Sequence, residues 1–138
     1  MYAITNFDKL LEVGREGEKA VSGLLERSGC EVEDVSKEKW HKVNDIDFVV
    51  RQSGKRSVPN ITMEVKTDRR IHETMNICIE LESNSNPAMK KEGWFKTSKA
   101  DWLAFYSPAV EATFFIKREE LVSLYTQNKD KLKHIYRE

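Results

Sequence analysis

Two short alternating segments constrain this chain more than any other feature. "DIDFVV" (45–50) and "ITMEVK" (61–66) place apolar side chains at every second position, the period of a strand with one buried face. In the first, Ile46, Phe48 and Val50 share a face, and Asp45, Asp47 and Val49 share the other. In the second, Ile61, Met63 and Val65 point one way, and Thr62, Glu64 and Lys66 the other. The segment between them, "RQSGKRSVPN" (51–60), is rich in turn formers, so the two strands are expected to pair as a hairpin. That pairing would set Asp47 beside Glu64 at ~5 Å, the ordinary cross-strand spacing. Carboxylates that close repel each other unless a cation joins them.

The rest of the chain supplies elements to pack around this pair. Residues 8–28 have helical spacing, with Leu11, Gly14, Val21 and Leu25 on one stripe and Gly29 as the stop. Glu18 falls in the same stripe. An acid there needs a partner such as a lysine or a metal ion, unless the edge of the stripe is wet. Residues 30–35 read as a short strand and 37–44 as a polar loop carrying Trp40 and His41. "NICIELE" (76–82) alternates again, with Ile77, Ile79 and Leu81 opposite Asn76, Cys78, Glu80 and Glu82, and is expected to be a third strand. A long polar segment (83–99) follows, then a hairpin from 101–107 and 111–117. Residues 118–128 form a helix with Leu121, Leu124 and Tyr125 inward, and 129–138 a charged tail. This order predicts one domain over residues 1–138, of the α/β (α+β) class, with a central mixed β-sheet flanked by helices.

Charge narrows the partners. The 23 basic residues balance the 23 acidic ones, so binding to nucleic acid through overall charge alone is not expected. The charge is nevertheless patchy: "RQSGKR" (51–56), "KTDRR" (66–70) and "KKEGWFKTSK" (90–99) are basic runs, and "EVEDVSKE" (31–38) is acid-rich. No apolar run approaches membrane-span length, and the first residues lack the pattern of a secretory signal. Cys30 and Cys78 make neither a disulfide framework nor a metal spacing. An intracellular, cytoplasmic protein without a membrane partner is expected, with both cysteines serving as small buried apolar groups.

The polar faces suggest one chemistry. Asp47 and Glu64 would present oxygens to a hard cation, Mg²⁺ or Mn²⁺, with the Val65 carbonyl as a further ligand. A divalent ion lowers the pKa of water that it holds. The Lys66 ammonium could orient that water and stabilise the charge that builds on a phosphoryl transition state. The chain has no G-x-S-x-G, no Cys/His metal spacing and no phosphate-binding glycine loop of the P-loop type.

"GREGE" (14–18) on the first helix, then "NDIDFVV" (44–50), then "ITMEVKTDRR" (61–70), resembles the PD-(D/E)xK nuclease superfamily. Holliday-junction-resolvase-like and phage or prophage nucleases are the most similar groups within it. The likeness covers roughly residues 10–70, and "MNICIELES" with "GWFKTSKADWLAFYSP" extends it towards phage-type members that read "TGNIFIE" and "TTKADYW". The resemblance implies a restriction-endonuclease-like αβββαβ core, virus or prophage origin, and Mg²⁺- or Mn²⁺-dependent hydrolysis of DNA phosphodiesters in recombination or repair. By it, Glu18 matches the first-helix acid, Asp47 the metal-binding aspartate, and Glu64 and Lys66 the E-x-K pair. The signature proline before the aspartate is absent, and Ile46 stands in its place. Either Asp45 or Asp47 could then be the ligand. Asp47 is favoured because it directly precedes the apolar run. The helix that usually follows E-x-K is replaced or shortened, which makes Glu80 a candidate extra acid.

Within this reading, Arg69, Arg70, Lys90, Lys91, Lys96 and Lys99 are candidate phosphate contacts, and Trp94 a ring for unpaired bases. Its simpler role is to pin the loop to the core. A homodimer would supply two sites for two strands. Two other functions remain open: a nuclease fold that binds nucleic acid or protein without cutting, and a structural network of acids and lysine.

Overall fold

The computed structural model describes residues 6–54, 57–82 and 91–132. The chain opens with α1 (Asn6–Arg27), followed by β1 (Cys30–Asp34), α2 (Lys39–Val43), β2 (Phe48–Gln52) and β3 (Ile61–Thr67). Two one-turn helices, α3 (Ile71–Thr74) and α4 (Trp94–Thr97), precede β4 (Trp102–Ser107), β5 (Ala112–Lys117) and α5 (Arg118–Asn128). The strands form one sheet in the order β1-β2-β3-β4-β5. Only β3 and β4 run parallel. A parallel pair needs a long crossover, and residues 68–101 supply it. The fold is thus α+β, a five-stranded mixed sheet flanked by helices, as expected.

Each face of the sheet buries its own cluster. Val21 of α1 packs on Phe48, Val50, Met63, Val65, Ala104 and Tyr106. On the opposite face, Ile71, Trp94, Leu103, Phe105 and Leu121 pack together. A smaller group, Val35, Ile46 and Ala100, fills the space beside the start of β2. The alternation read in 61–66 is therefore real: Met63 and Val65 look towards α1, and Glu64 and Lys66 look away.

Two glycines shape α1. Gly29 ends it with a φ of 93°, a left-handed conformation that costs glycine nothing. Gly17 lets it lie against β3, since a Cβ there would meet the Thr67 hydroxyl oxygen at 1.8 Å. That close approach carries the next residue, Glu18, to the end of β3.

Several expectations need correction. Residues 76–82 form no ladder strand; a lone bridge joins Glu82 to Glu92. Alternation alone does not place a strand in the sheet, and β4, not this segment, lies beside β3. Ile79 still reaches the core, while Ile77 and Cys78 are exposed, so Cys78 is not a buried apolar group. Residues 37–44 are not a loop throughout. Lys42 closes a turn on the Glu38 carbonyl, and Asn44 donates its side-chain amide to the Trp40 carbonyl. Leu11 and Leu124 are exposed rather than inward.

The tight contact at Gly17 makes a paired prediction. A methyl group added at Gly14 would meet nothing within 4 Å, so Gly14→Ala should gain up to ~1 kcal/mol from helix propensity. Gly17→Ala must turn the Thr67 side chain or shift α1 from β3, and should lose about 1–3 kcal/mol instead. Urea titration of both variants checks the difference, and adding Thr67→Ala should recover part of the second loss.

Candidate active site

The β2–β3 register pairs Phe48 with Met63 and Val50 with Ile61, which puts Asp47 opposite Glu64. The Asp47 backbone N–H still donates to the Met63 carbonyl at 2.9 Å. Beyond this point β2 has ended while β3 continues. The Asp47 carboxylate turns across the opening and accepts the Val65 N–H at 2.7 Å. In a strand the N–H and C=O of one residue face the same neighbour, so the Val65 carbonyl also looks into the opening that β2 leaves.

Glu64 is buried, and its Oε1 lies 2.8 Å from Lys66 Nζ. The same ammonium stands 5.2 Å above the centre of the Trp94 ring. Lys66 is therefore held between a carboxylate and an aromatic face, an arrangement that fixes where its charge sits. The second oxygen of Glu64 is buried and makes no hydrogen bond of good geometry, although the Ser98 hydroxyl is close enough to favour the charged carboxylate; a cation or water there would satisfy it better.

Glu18, Asp45, Asp47, Glu64, Val65 and Lys66 line one cleft of about 250 Å³, together with Ser36 and Lys42. Its carboxylates are short of positive charge. Burial raises the Glu18 carboxyl to about 7, and the nearby charges of Asp47 and Asp34 add to this against Arg15. Burial also raises Glu64 to about 7 against the pull of Lys66. Asp47 rises by burial too, opposed by the Val65 N–H and Lys66. Groups that resist ionisation in this way suit a site completed by a hard divalent ion. Asp47, Glu64 with its poorly satisfied oxygen, and the Val65 carbonyl are the donors that fit one. Among the described residues, no three Asp, Glu, His or Cys side chains already stand in metal-holding geometry, so waters or substrate oxygens would complete the shell.

The solved structures contain a relative of this architecture. The fold is shared with a bacterial homing endonuclease. That structure, of I-Ssp6803I, superposes with a TM-score of 0.56 over 80% of this chain and 70% of its own, at 13% sequence identity. No family model matches the chain. No curated protein matches it either.

The other candidate residues scatter. Asp45 lines the cleft, but its carboxylate accepts the Thr97 hydroxyl and its own φ is 53°. Glu80 is exposed and is not among the residues that line the cleft; its backbone packs on Gly93. Arg69, Arg70, Lys91, Lys96 and Lys99 are exposed, and Arg70 lies 3.5 Å from Glu73. Lys90 lies outside the described residues. Trp94 is buried, so its ring is not available to a base; the role of pinning the loop to the core is the one it has. Lys42 and Ser36 were missed. Ser36 donates both its N–H and its hydroxyl to Asp34 in the turn before α2, and Lys42 of α2 lines the cleft. The D-x-S spacing in "EDVSKE" was the available signal.

The raised carboxyls set a pH dependence. Glu18 and Glu64 hold protons more tightly in the folded chain than at their ordinary value of 4.5. Their contribution to stability is full below that value and is lost as pH rises through about 7. Glu64 should account for on the order of 3 kcal/mol of this loss. Glu18 should account for less, because water screens its half-exposed carboxyl. Urea titrations of the metal-free protein should therefore show lower stability at about pH 8 than at about pH 5. Glu18→Gln should flatten part of that slope.

Proposed function

We propose that this protein is a divalent-metal-dependent endonuclease that hydrolyses DNA phosphodiesters. The observation that carries this reading is the meeting of Glu18, Asp47, Glu64 and Lys66 at the fork between β2 and β3, with a buried Glu64 oxygen short of a good hydrogen bond. The fold shared with a homing endonuclease supports it. Mg²⁺ or Mn²⁺, when bound, supplies the charge that makes water a nucleophile near neutral pH and neutralises the phosphate.

The chain does the rest. Asp47 and Glu64 hold the ion's place, and the Val65 N–H keeps the Asp47 carboxylate turned inward. Lys66 presents its ammonium to the attacking water and to the charge developing on the phosphoryl oxygens. Trp94 and Glu64 keep that ammonium from swinging into solvent. Glu18 adds negative charge from the helix side and favours the bound ion. Two subunits related by a two-fold axis would cut both strands, and branched DNA is the first structured substrate to try.

A second reading has one observation in its favour. The carboxylates are not already in metal-holding geometry, as expected of a nuclease fold that binds DNA without cutting it. One experiment separates the two. Linear, branched and single-stranded DNA are incubated with the protein in Mg²⁺, Mn²⁺ or chelator, beside Asp47→Asn and Lys66→Ala. The enzyme should cut in metal and not in chelator, and each variant should lose at least ~100-fold in rate. Calorimetry should show that Asp47→Asn also loses metal binding. Binding without cleavage of any substrate in either metal would establish the second reading.

A further inference from the structure

With the Trp94 ring buried, a different aromatic group stands open near the cleft. Trp40 on α2 is 62% exposed, and Val43 beside it is 69% exposed. At 100° per residue, the outward arc of α2 runs in the order Lys42, Lys39, Val43, Trp40, with His41 turned inward. The Lys42 end of this arc lines the catalytic cleft. The Trp40 end lies across the helix, roughly 10 Å away.

Two details make this arc a platform rather than a stray exposed ring. The Trp40 and His41 rings stand perpendicular, with centroids 5.2 Å apart and planes at 88°, so the indole is braced by a neighbour while most of its surface stays open. His41 Nδ1 lies 2.7 Å from the Glu38 carboxylate. The helix is also tied to the site from behind. Buried Asn44 donates to the Trp40 carbonyl, Ile46 N–H to the His41 carbonyl, and Lys99 N–H to the Asn44 carbonyl.

We propose that the outward face of α2 is a stacking platform for an unpaired nucleotide of the DNA strand that enters the cleft. Trp40 lies under the base, and Lys39 and Lys42 meet the phosphates between it and the scissile bond. The inference rests on the endonuclease reading and deepens it by naming the substrate class: DNA whose pairing is interrupted close to the cut. A ring can stack only on a base whose face is open, and in an intact duplex both faces are covered. The surroundings select a nucleic acid over an apolar protein segment. Residues 37–43 carry three lysines and one glutamate, and that glutamate is engaged with His41. Cations spaced around an aromatic face match a phosphate backbone carrying bases.

The test measures equilibrium binding in chelator, where no cleavage occurs. The probes are a duplex with one unpaired nucleotide, carrying 2-aminopurine at that position, and the same duplex fully paired. Wild-type protein should prefer the interrupted duplex and quench the 2-aminopurine. Trp40→Ala should weaken binding to the interrupted duplex by about 5- to 100-fold, with far less effect on the paired one. Trp40→Phe should restore most of the preference and the quenching. Lys39→Ala should weaken binding to both and reduce the salt dependence. An unchanged preference in Trp40→Ala, or an equal loss on both duplexes, would overturn the inference while leaving the endonuclease reading intact. Failure of the wild-type protein to bind either duplex would also overturn the inference, while the endonuclease reading would still be decided by the cleavage assay in metal.

Discussion

The hydrogen bond from the Val65 N–H to the Asp47 carboxylate holds the candidate site together. It lies where the β2–β3 ladder opens, and it closes the ladder with a side chain in place of a main-chain group. A strand end that splays apart usually leaves backbone donors to water. Here the freed donor instead turns an acid inward, opposite Glu64. The same fork leaves the Val65 carbonyl, on the same edge as its N–H, facing the cleft. Loss of this one contact would return Asp47 to solvent and leave Glu64 beside Lys66 as an ordinary ion pair.

Around that fork, three structural choices converge. Gly17 lets α1 approach β3 closely enough to bring Glu18 near Asp47. Residues 97–101 bind the turn before β2 from the opposite side: Thr97 donates to Asp45, Ser98 to the Asp45 carbonyl, and Lys99 to the Asn44 carbonyl. Asp101 then accepts both the N–H and the hydroxyl of Thr62, which ties the start of β4 to β3. Residues 97–101 of the crossover thus serve to frame the acids. The buried carboxylates are destabilising in the metal-free chain, a common cost where a site is arranged for charge that arrives with a ligand.

Where local pattern and tertiary environment agreed, the sequence was legible. The last helix was expected over 118–128 and is Arg118–Asn128, with Leu121 and Tyr125 packed inward as expected and Leu124 not. The hairpin that pairs Asp47 with Glu64 was legible for the same reason. Residues 76–82 alternate as cleanly as 61–66 and yet form no strand, because a strand needs a partner as well as a pattern. Trp94 was expected either to meet bases or to pin its loop to the core, and the second holds; Trp40 was expected only in a polar loop. Both sit among lysines in the sequence, and only packing against Phe105 and Phe95 decides that Trp94 is core while Trp40 is open.

By itself the sequence determined the α+β class, the hairpin and the set of acids with one lysine that could share a face. Those features follow from periods of two and 3.6 and from cross-strand spacing, which are local rules. Tertiary structure alone decided that Glu18 reaches the same cleft from another element, that Lys66 rests on Trp94, and that Lys42 joins the lining. These depend on how closely a helix lies on a sheet and where a strand stops pairing, and no local period encodes either.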